Sequence, residues 1–158
     1  MLFRSLRQYI HQNYDINCRC IRCREPKGQE IDWDSVEIKI NEYSASKGKE
    51  FFIGVEDTKN DLLVGFLRMR FPADSLREEI TSDSAIVREL HVYGIATSLG
   101  SEGTVQHKGW GKKLLLEAEK IAKENGKNKI VIISGIGVRE YYKKLGYQLE
   151  GVYMVKQI

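Results

Sequence analysis

The sequence predicts an α/β fold: one mixed sheet with helices on its faces. Three observations carry this. Residues 36–94 hold four strand-like runs separated by turn signals. Residues 112–126, KKLLLEAEKIAKENG, have helical periodicity. A continuous apolar run, KIVIISG (129–135), follows, as in a strand buried on both faces. Strand, helix and buried strand in succession call for a parallel pair joined by a right-handed crossover.

Each element has its own signal. VEIKINEYSAS (36–46) alternates apolar and polar residues. KEFFIGVED (49–57) and LLVGFLRMRF (62–71) flank the turn TKND, which predicts an antiparallel hairpin. SLREEI (75–80) reads as a helical turn or two, SAIVRELHVYG (84–94) as a fourth strand, and GIATSLGSEGT (94–104) as a loop. In the long helix, Leu114, Ala118, Ile121 and Ala122 form the apolar stripe, and Asn125-Gly126 is a stop signal. VREYYKKLG (138–146) is a short helix, and YQLEGVYMVKQI (147–158) supplies the last strand material. At the other end, LFRSLRQYIHQNY (2–14) predicts a helix, followed by a cysteine turn and the loop EPKGQE (25–30). The expected division is an N-terminal helix with a Cys-rich segment, 1–30, and the sheet-and-helix domain, 31–158.

The chain of 158 residues, 42% hydrophobic and 30% charged, is sized for one core. No apolar run approaches the roughly 18 residues of a membrane span. MLFRSLRQYIHQNY lacks the apolar stretch of a secretory signal. A cytoplasmic location with no membrane partner is therefore expected. Net charge is +3 but uneven: residues 1–28 carry +4 and the remainder −1. A basic segment on a nearly neutral body points to a polyanionic partner such as nucleic acid, or else to a solvated basic helix and turn.

The turn QHKGWG (106–111) runs straight into the long helix. The first N–H groups of a helix lack intrahelical partners, and that end is positive. Gly109 and Gly111 let a ligand approach the backbone, and Lys108 and Lys112 add charge, so the turn suits a phosphate or pyrophosphate. It matches neither the P-loop, having no Ser or Thr after a Lys, nor G-x-G-x-x-G, since position 114 is Leu.

Strict alternation along 84–94 puts Val87, Glu89, His91 and Tyr93 on one face and Arg88, Leu90 and Val92 on the other. Polar groups in succession on a central strand cost free energy unless paired. They read either as a reactive cleft, with Glu89 as general base and His91 orienting it, or as a structural network with Arg88 or Arg139. Val138, Tyr141, Tyr142 and Leu145 hold helical spacing, which by periodicity is core packing. CRCIRC gathers Cys18, Cys20 and Cys23, an odd cluster that reads as a metal site, with zinc the expected ion. Zinc needs a fourth ligand, for which His11, His91, His107, water or a group from elsewhere are the candidates.

Q-x-x-G-x-G after a strand and before an amphipathic helix resembles the acetyl-CoA pyrophosphate loop of the GCN5-related N-acetyltransferase (GNAT) superfamily. RELHVYG (88–94), QHKGWG, VIISGIGVREYYKKLGY (131–147) and GVYMVK (151–156) together look like the acetyltransferase domain of the Elongator catalytic subunit family, the tRNA wobble-uridine acetyltransferases. CRCIRCREPKGQE looks like the segment preceding that domain in archaeal and bacterial members.

The resemblance implies a mostly antiparallel mixed sheet whose fourth and fifth strands splay to admit acetyl-CoA. It implies cofactor contacts at Val92, Tyr93, Gly94, Gln106, His107, Lys108, Gly109, Trp110, Gly111 and Lys112. It also places one of Tyr141 and Tyr142 near the CoA sulfur, where it can protonate the thiolate. The implied partners are tRNA and a radical-SAM domain, holding an iron–sulfur cluster and S-adenosylmethionine, whose CxxxCxxC motif this chain lacks. The implied activity is tRNA-dependent acetyl-CoA cleavage in a carboxymethyl-type modification at uridine C5. Lysine or amine acetylation, and tRNA docking without catalysis, are the other readings.

Overall fold

Alternation in residues 36–71 folds as three long antiparallel strands. In the computed structural model, which describes residues 9, 13, 14, 18–74, 77–93 and 109–158, these are β1 (Val36–Ala45), β2 (Gly48–Asp57) and β3 (Leu62–Phe71). β4 (Ser84–Val92) pairs antiparallel with β3. Helix α2 (Trp110–Glu124) then carries the chain to β5 (Lys129–Ile132), which runs parallel to β4. A 3-10 turn (Ile136–Val138) leads into helix α3 (Arg139–Lys143). The final stretch is a hairpin, β6 (Gln148–Glu150) and β7 (Tyr153–Gln157), and β7 inserts next to β5. The sheet order is β1-β2-β3-β4-β5-β7-β6. The expected α/β fold, a mostly antiparallel sheet with one parallel pair and flanking helices, is the one observed. Before the sheet lies helix α1 (Ile21–Arg24), inside the cysteine segment.

One face of the sheet carries the main core. Phe51, Ile53, Val55, Leu67, Met69 and Val87 meet Leu114, Leu115, Ala118, Ile121 and Ala122 of α2 there. The four residues of the expected helical stripe are all buried. The opposite face carries Phe52, Leu63, Phe66 and Glu56, and the cysteine segment lies over it. The buried Arg24 anchors that segment, with its guanidinium 2.6 Å from Glu56 and 3.1 Å from Asp61.

Two expectations need correction. β3 and β4 slip register between Arg68 and Met69: Arg68 opposes Glu89 and Met69 opposes Val87, so Arg88 is bulged out. Side-chain parity reverses there. Val87 is fully buried in the helix-side core, and beyond the bulge Leu90 and Val92 pack against that core. Val87 therefore does not share a face with Glu89, His91 and Tyr93. The stripe of α3 also divides: Tyr142 is buried and Leu145 packs on the core, but Val138 and Tyr141 are exposed. A five-residue helix is too short to present one continuous face.

Of the expected N-terminal helix, Asn13 donates its side-chain N–H to the Tyr9 carbonyl at 2.8 Å, one helical turn back. The rest of it, residues 75–76 and the loop 94–104 lie outside the described residues, as do Gly94, Gln106, His107, Lys108 and His11. Among the described residues no helix is long and apolar enough to cross a membrane.

Candidate acyl-transfer site

β4 and β5 pair from Ser84–Lys129 to Val87–Ile132, and the last bond is Ile133 N–H to the Val87 carbonyl at 3.0 Å. Beyond it the strands part. β4 continues to Val92, paired only with β3 among the described residues, while the chain after Ile133 turns off into the 3-10 turn. Among the described residues, the backbone groups of Arg88–Val92 on that side have no strand partner. The Ser134 hydroxyl is buried at the fork and has no partner among the described residues. A buried unsatisfied hydroxyl is costly, and a ligand entering the fork would satisfy it.

The start of α2 closes the wide end of this fork. Gly109 caps the helix with φ of 127°, a conformation most side chains avoid, and a Cβ there would point into open space. The first intrahelical bond runs from Lys113 N–H to the Gly109 carbonyl at 2.9 Å. The N–H groups of Trp110, Gly111 and Lys112 therefore have no acceptor within the helix. Trp110 packs against the core with the Lys113 ammonium 3.9 Å above its ring. An anion at this end would meet open amides, the helix dipole and Lys112. The residues present thus fit a pyrophosphate-bearing thioester ligand.

Tyr141 and Gly111 meet here. A Cβ on Gly111 would stand 2.8 Å from the Tyr141 hydroxyl and 3.9 Å from Val92 Cγ2. Tyr141, on α3, and Val92, at the end of β4, thus converge on the first turn of α2. Burial raises the Tyr141 phenol above its ordinary value, so it stays protonated at neutral pH. Tyr142 points the other way, 6% exposed, with its ring edge-on to Tyr141 and Tyr147. Burial, then the neighbouring Tyr141, raises its phenol too.

On the opposite sheet face, Glu89 is half-exposed and its carboxylate lies 3.5 Å from Arg68 on β3. Neither expected arginine is its partner. Arg88 binds the buried Glu50 at 3.0 Å, alongside Arg70 at 2.5 Å, and Arg139 donates to the Val152 carbonyl at 3.4 Å. His91 stacks on Phe66 (5.9 Å between centroids) and meets Tyr93 edge-on (4.5 Å). Burial, then the charges of Glu25 and Glu89, raises the Tyr93 phenol. Arg68 and Phe66 were missed in the sequence because their role depends on cross-strand register.

Cys18, Cys20 and Cys23 gather with their sulfurs within 4.8 Å of one another, and none is in a disulfide. Burial raises the Cys20 thiol, but hydrogen bonds from the Cys23 backbone and the Cys18 and Cys23 thiols outweigh it and bring it to about 7. Three convergent sulfurs, one already inclined to ionise, fit three positions of a tetrahedral zinc. No His, Asp or Glu among the described residues joins them, so His91 is not the fourth ligand.

The chain belongs to the acetyltransferase (GNAT) family, whose pattern matches residues 10–147. Within that family it is similar to the tRNA uridine(34) acetyltransferase of Methanocaldococcus jannaschii, 49% identical over 93% of this chain and 29% of that protein. It is likewise similar to Elongator complex protein 3 of Saccharomyces cerevisiae, 48% identical over 89% of this chain and 27% of that protein. Among solved structures, an N-terminally truncated archaeal Elp3 from Methanocaldococcus infernus superposes with a TM-score of 0.85 at 44% identity, over 98% of this chain and 38% of that one. An acetyltransferase from Bacillus cereus shares the fold, with a TM-score of 0.51 at 18% identity and coverage of 98% and 87%. The chain thus spans less than a third of the M. jannaschii and yeast relatives.

Proposed function

We propose that this chain is the acetyl-CoA-binding acyltransferase part of an enzyme that modifies the wobble uridine of tRNA at C5, giving a carboxymethyl-type product. The observation that carries it is the convergence at the fork: β4 backbone without a β5 partner, the open N-terminus of α2, and the Tyr141 hydroxyl on Gly111. The names of the relatives supply the RNA.

In this reading the pyrophosphate lies on the 106–111 turn, with Gln106, His107, Lys108 and Lys112 around it. The pantetheine arm pairs with β4 backbone at Val92, Tyr93 and Gly94. Bound acetyl-CoA supplies an activated acetyl group. Glu89 accepts the proton of the attacking water or acceptor, and His91 lines the approach. Tyr141 holds the proton for the departing sulfur, which leaves Tyr142 to packing. Cys18, Cys20 and Cys23 hold a structural zinc in the 1–30 segment, separate from the 31–158 acyltransferase domain. The partner that completes the modification in this reading is a radical-SAM domain, carrying an iron–sulfur cluster and S-adenosylmethionine. The location is cytoplasmic.

Calorimetric titration with acetyl-CoA, with and without tRNA, tests this. Binding should occur, should be lost in folded Gly109→Glu, and hydrolysis should rise with tRNA. Undiminished binding by Gly109→Glu would remove the turn from the site. Acetylation of a peptide amine without RNA would instead make the chain an amine acetyltransferase, and RNA binding without acetyl-CoA binding would make it a docking module.

A further inference from the structure

A cavity of about 470 Å³ lies between the cysteine segment and the outer strands, on the sheet face away from α2. It is remote from the fork in sequence and made by other residues. Its floor is Phe52 and Leu63, and beneath it the Arg24–Glu56 pair joins the cysteine segment to β2. Arg19 and Arg22, both exposed, stand on one side, and Asn41 of β1 stands on the other. We propose that this cavity takes one unpaired nucleotide of an RNA, with its base on Phe52 and its phosphate against Arg19 and Arg22.

The volume falls within the roughly 300–1,000 Å³ of small-ligand pockets. The Phe52 ring lies nearly parallel to Phe66, 14° between planes at 5.4 Å, so the floor is a braced aromatic surface. Bases seat on such surfaces in single-stranded RNA recognition, with guanidinium groups neutralising the backbone. Arg22 has no carboxylate partner among the described residues, and Arg19 shares one exposed carboxylate, Asp61, at 2.8 Å. Asn41 offers a donor and an acceptor to a base edge. An acidic peptide would use the arginines but gain nothing from the aromatic floor. The rings also continue: Phe52, Phe66, His91 and Tyr93 form a row across β2, β3 and β4 that ends on the Glu89 side of β4. Phe66 is buried at 2% exposure and braces the row from within, and His91 beyond it is exposed to a neighbouring nucleotide. The proposal rests on the tRNA reading above and adds a second contact to it.

The test is a nuclear magnetic resonance titration of this chain with a short oligouridylate, beside inorganic polyphosphate and polyglutamate. Oligouridylate should shift the amides of Arg22, Asn41, Phe52 and Leu63. Phe52→Leu, which keeps the apolar volume and removes the stacking surface, should weaken oligouridylate roughly tenfold and leave polyphosphate unchanged. Arg22→Glu should weaken both. Asn41→Ala, an exposed change that spares the fold, should weaken oligouridylate alone. Equal shifts from polyglutamate, equal loss of polyphosphate in Phe52→Leu, or unaltered oligouridylate binding in both Phe52→Leu and Asn41→Ala would overturn the proposal. Oligouridylate shifts confined to other surfaces would overturn the cavity and leave the RNA reading standing. An absence of RNA shifts with acetyl-CoA binding intact would overturn both.

Discussion

The Tyr141 hydroxyl rests against Gly111: a Cβ on that glycine would approach it to 2.8 Å. Two helices thereby set the position of one phenol. Gly111→Ala should displace the ring and slow acetyl-CoA cleavage. Tyr141→Phe should slow it by roughly 10²-fold or more, as loss of a general acid does. In the double variant the two losses should fall well short of additive, because both act through one hydroxyl. Additive losses in single-turnover assays would show that Gly111 acts on the phosphate turn alone. Tyr142→Phe should leave the rate near parental and change stability instead.

Glu89 should matter to turnover and little to cofactor affinity, since its side chain lies on the sheet face opposite the α2 core. Glu89→Gln is expected to slow acetyl-CoA cleavage by about 10²–10⁴-fold with nearly unchanged calorimetric affinity. Arg68→Ala, which removes the group 3.5 Å from the carboxylate, should cost far less. Parental rates in Glu89→Gln would assign the proton transfer to another group.

The cysteine segment should carry roughly one equivalent of zinc per chain when purified without chelator, measured by elemental analysis. Cys20→Ser should lose it and lower the melting temperature, since three sulfurs converge on one point. Three thiols that react freely with a thiol reagent in metal-free protein, at an unchanged melting temperature, would refute the site.

Asp57 should make the fold acid-sensitive. It is fully buried, and although burial raises its carboxyl, donors from Ser35, Asp32, Asn60 and Lys59 outweigh this and hold it far below the ordinary value. A depressed folded value gives stability that is complete above the unfolded value of about 4 and drains away as pH falls below it. Asp57→Asn keeps one acceptor and turns a donor toward donors, so it should cost about 2–3 kcal/mol at pH 7. Urea midpoints taken from pH 6 to pH 3 should fall more steeply in the parent than in the variant.

The sheet and α2 were legible because each repeats a period. Leu114, Ala118, Ile121 and Ala122 announce a helix face without reference to anything distant. The glycine turn and the cysteine cluster were legible as local spacings. The face of Val87 was harder to read: the bulge shows in one strand only as two polar residues in succession, Arg88 and Glu89, between Val87 and Leu90, and which residue is extra is settled by the partner strand. The partners of Arg88 and Glu89 were hidden for the same reason: Glu50 lies 38 residues from Arg88, and Arg68 lies 21 residues from Glu89. Tyr141 and Tyr142 could be separated only by the contacts of a short helix with Gly111 and Tyr147.

The bulge at Arg88 is a surplus residue in a ladder that would be regular without it. Exchanging the side chain at 88 would disturb one ion pair with Glu50. Deleting the residue would restore the ladder between Arg68 and Met69 and leave every later pair as it is, Glu89 opposite Arg68 and Leu90 opposite Leu67. Val87, Leu90 and Val92 would stay beneath α2, and Glu89, His91 and Tyr93 would stay on the ring row. A single deletion at 90 would instead put the following residues on the wrong face. In the descent of such sequences, position 88 is therefore a place in this strand where a residue can be lost without exchanging its two faces.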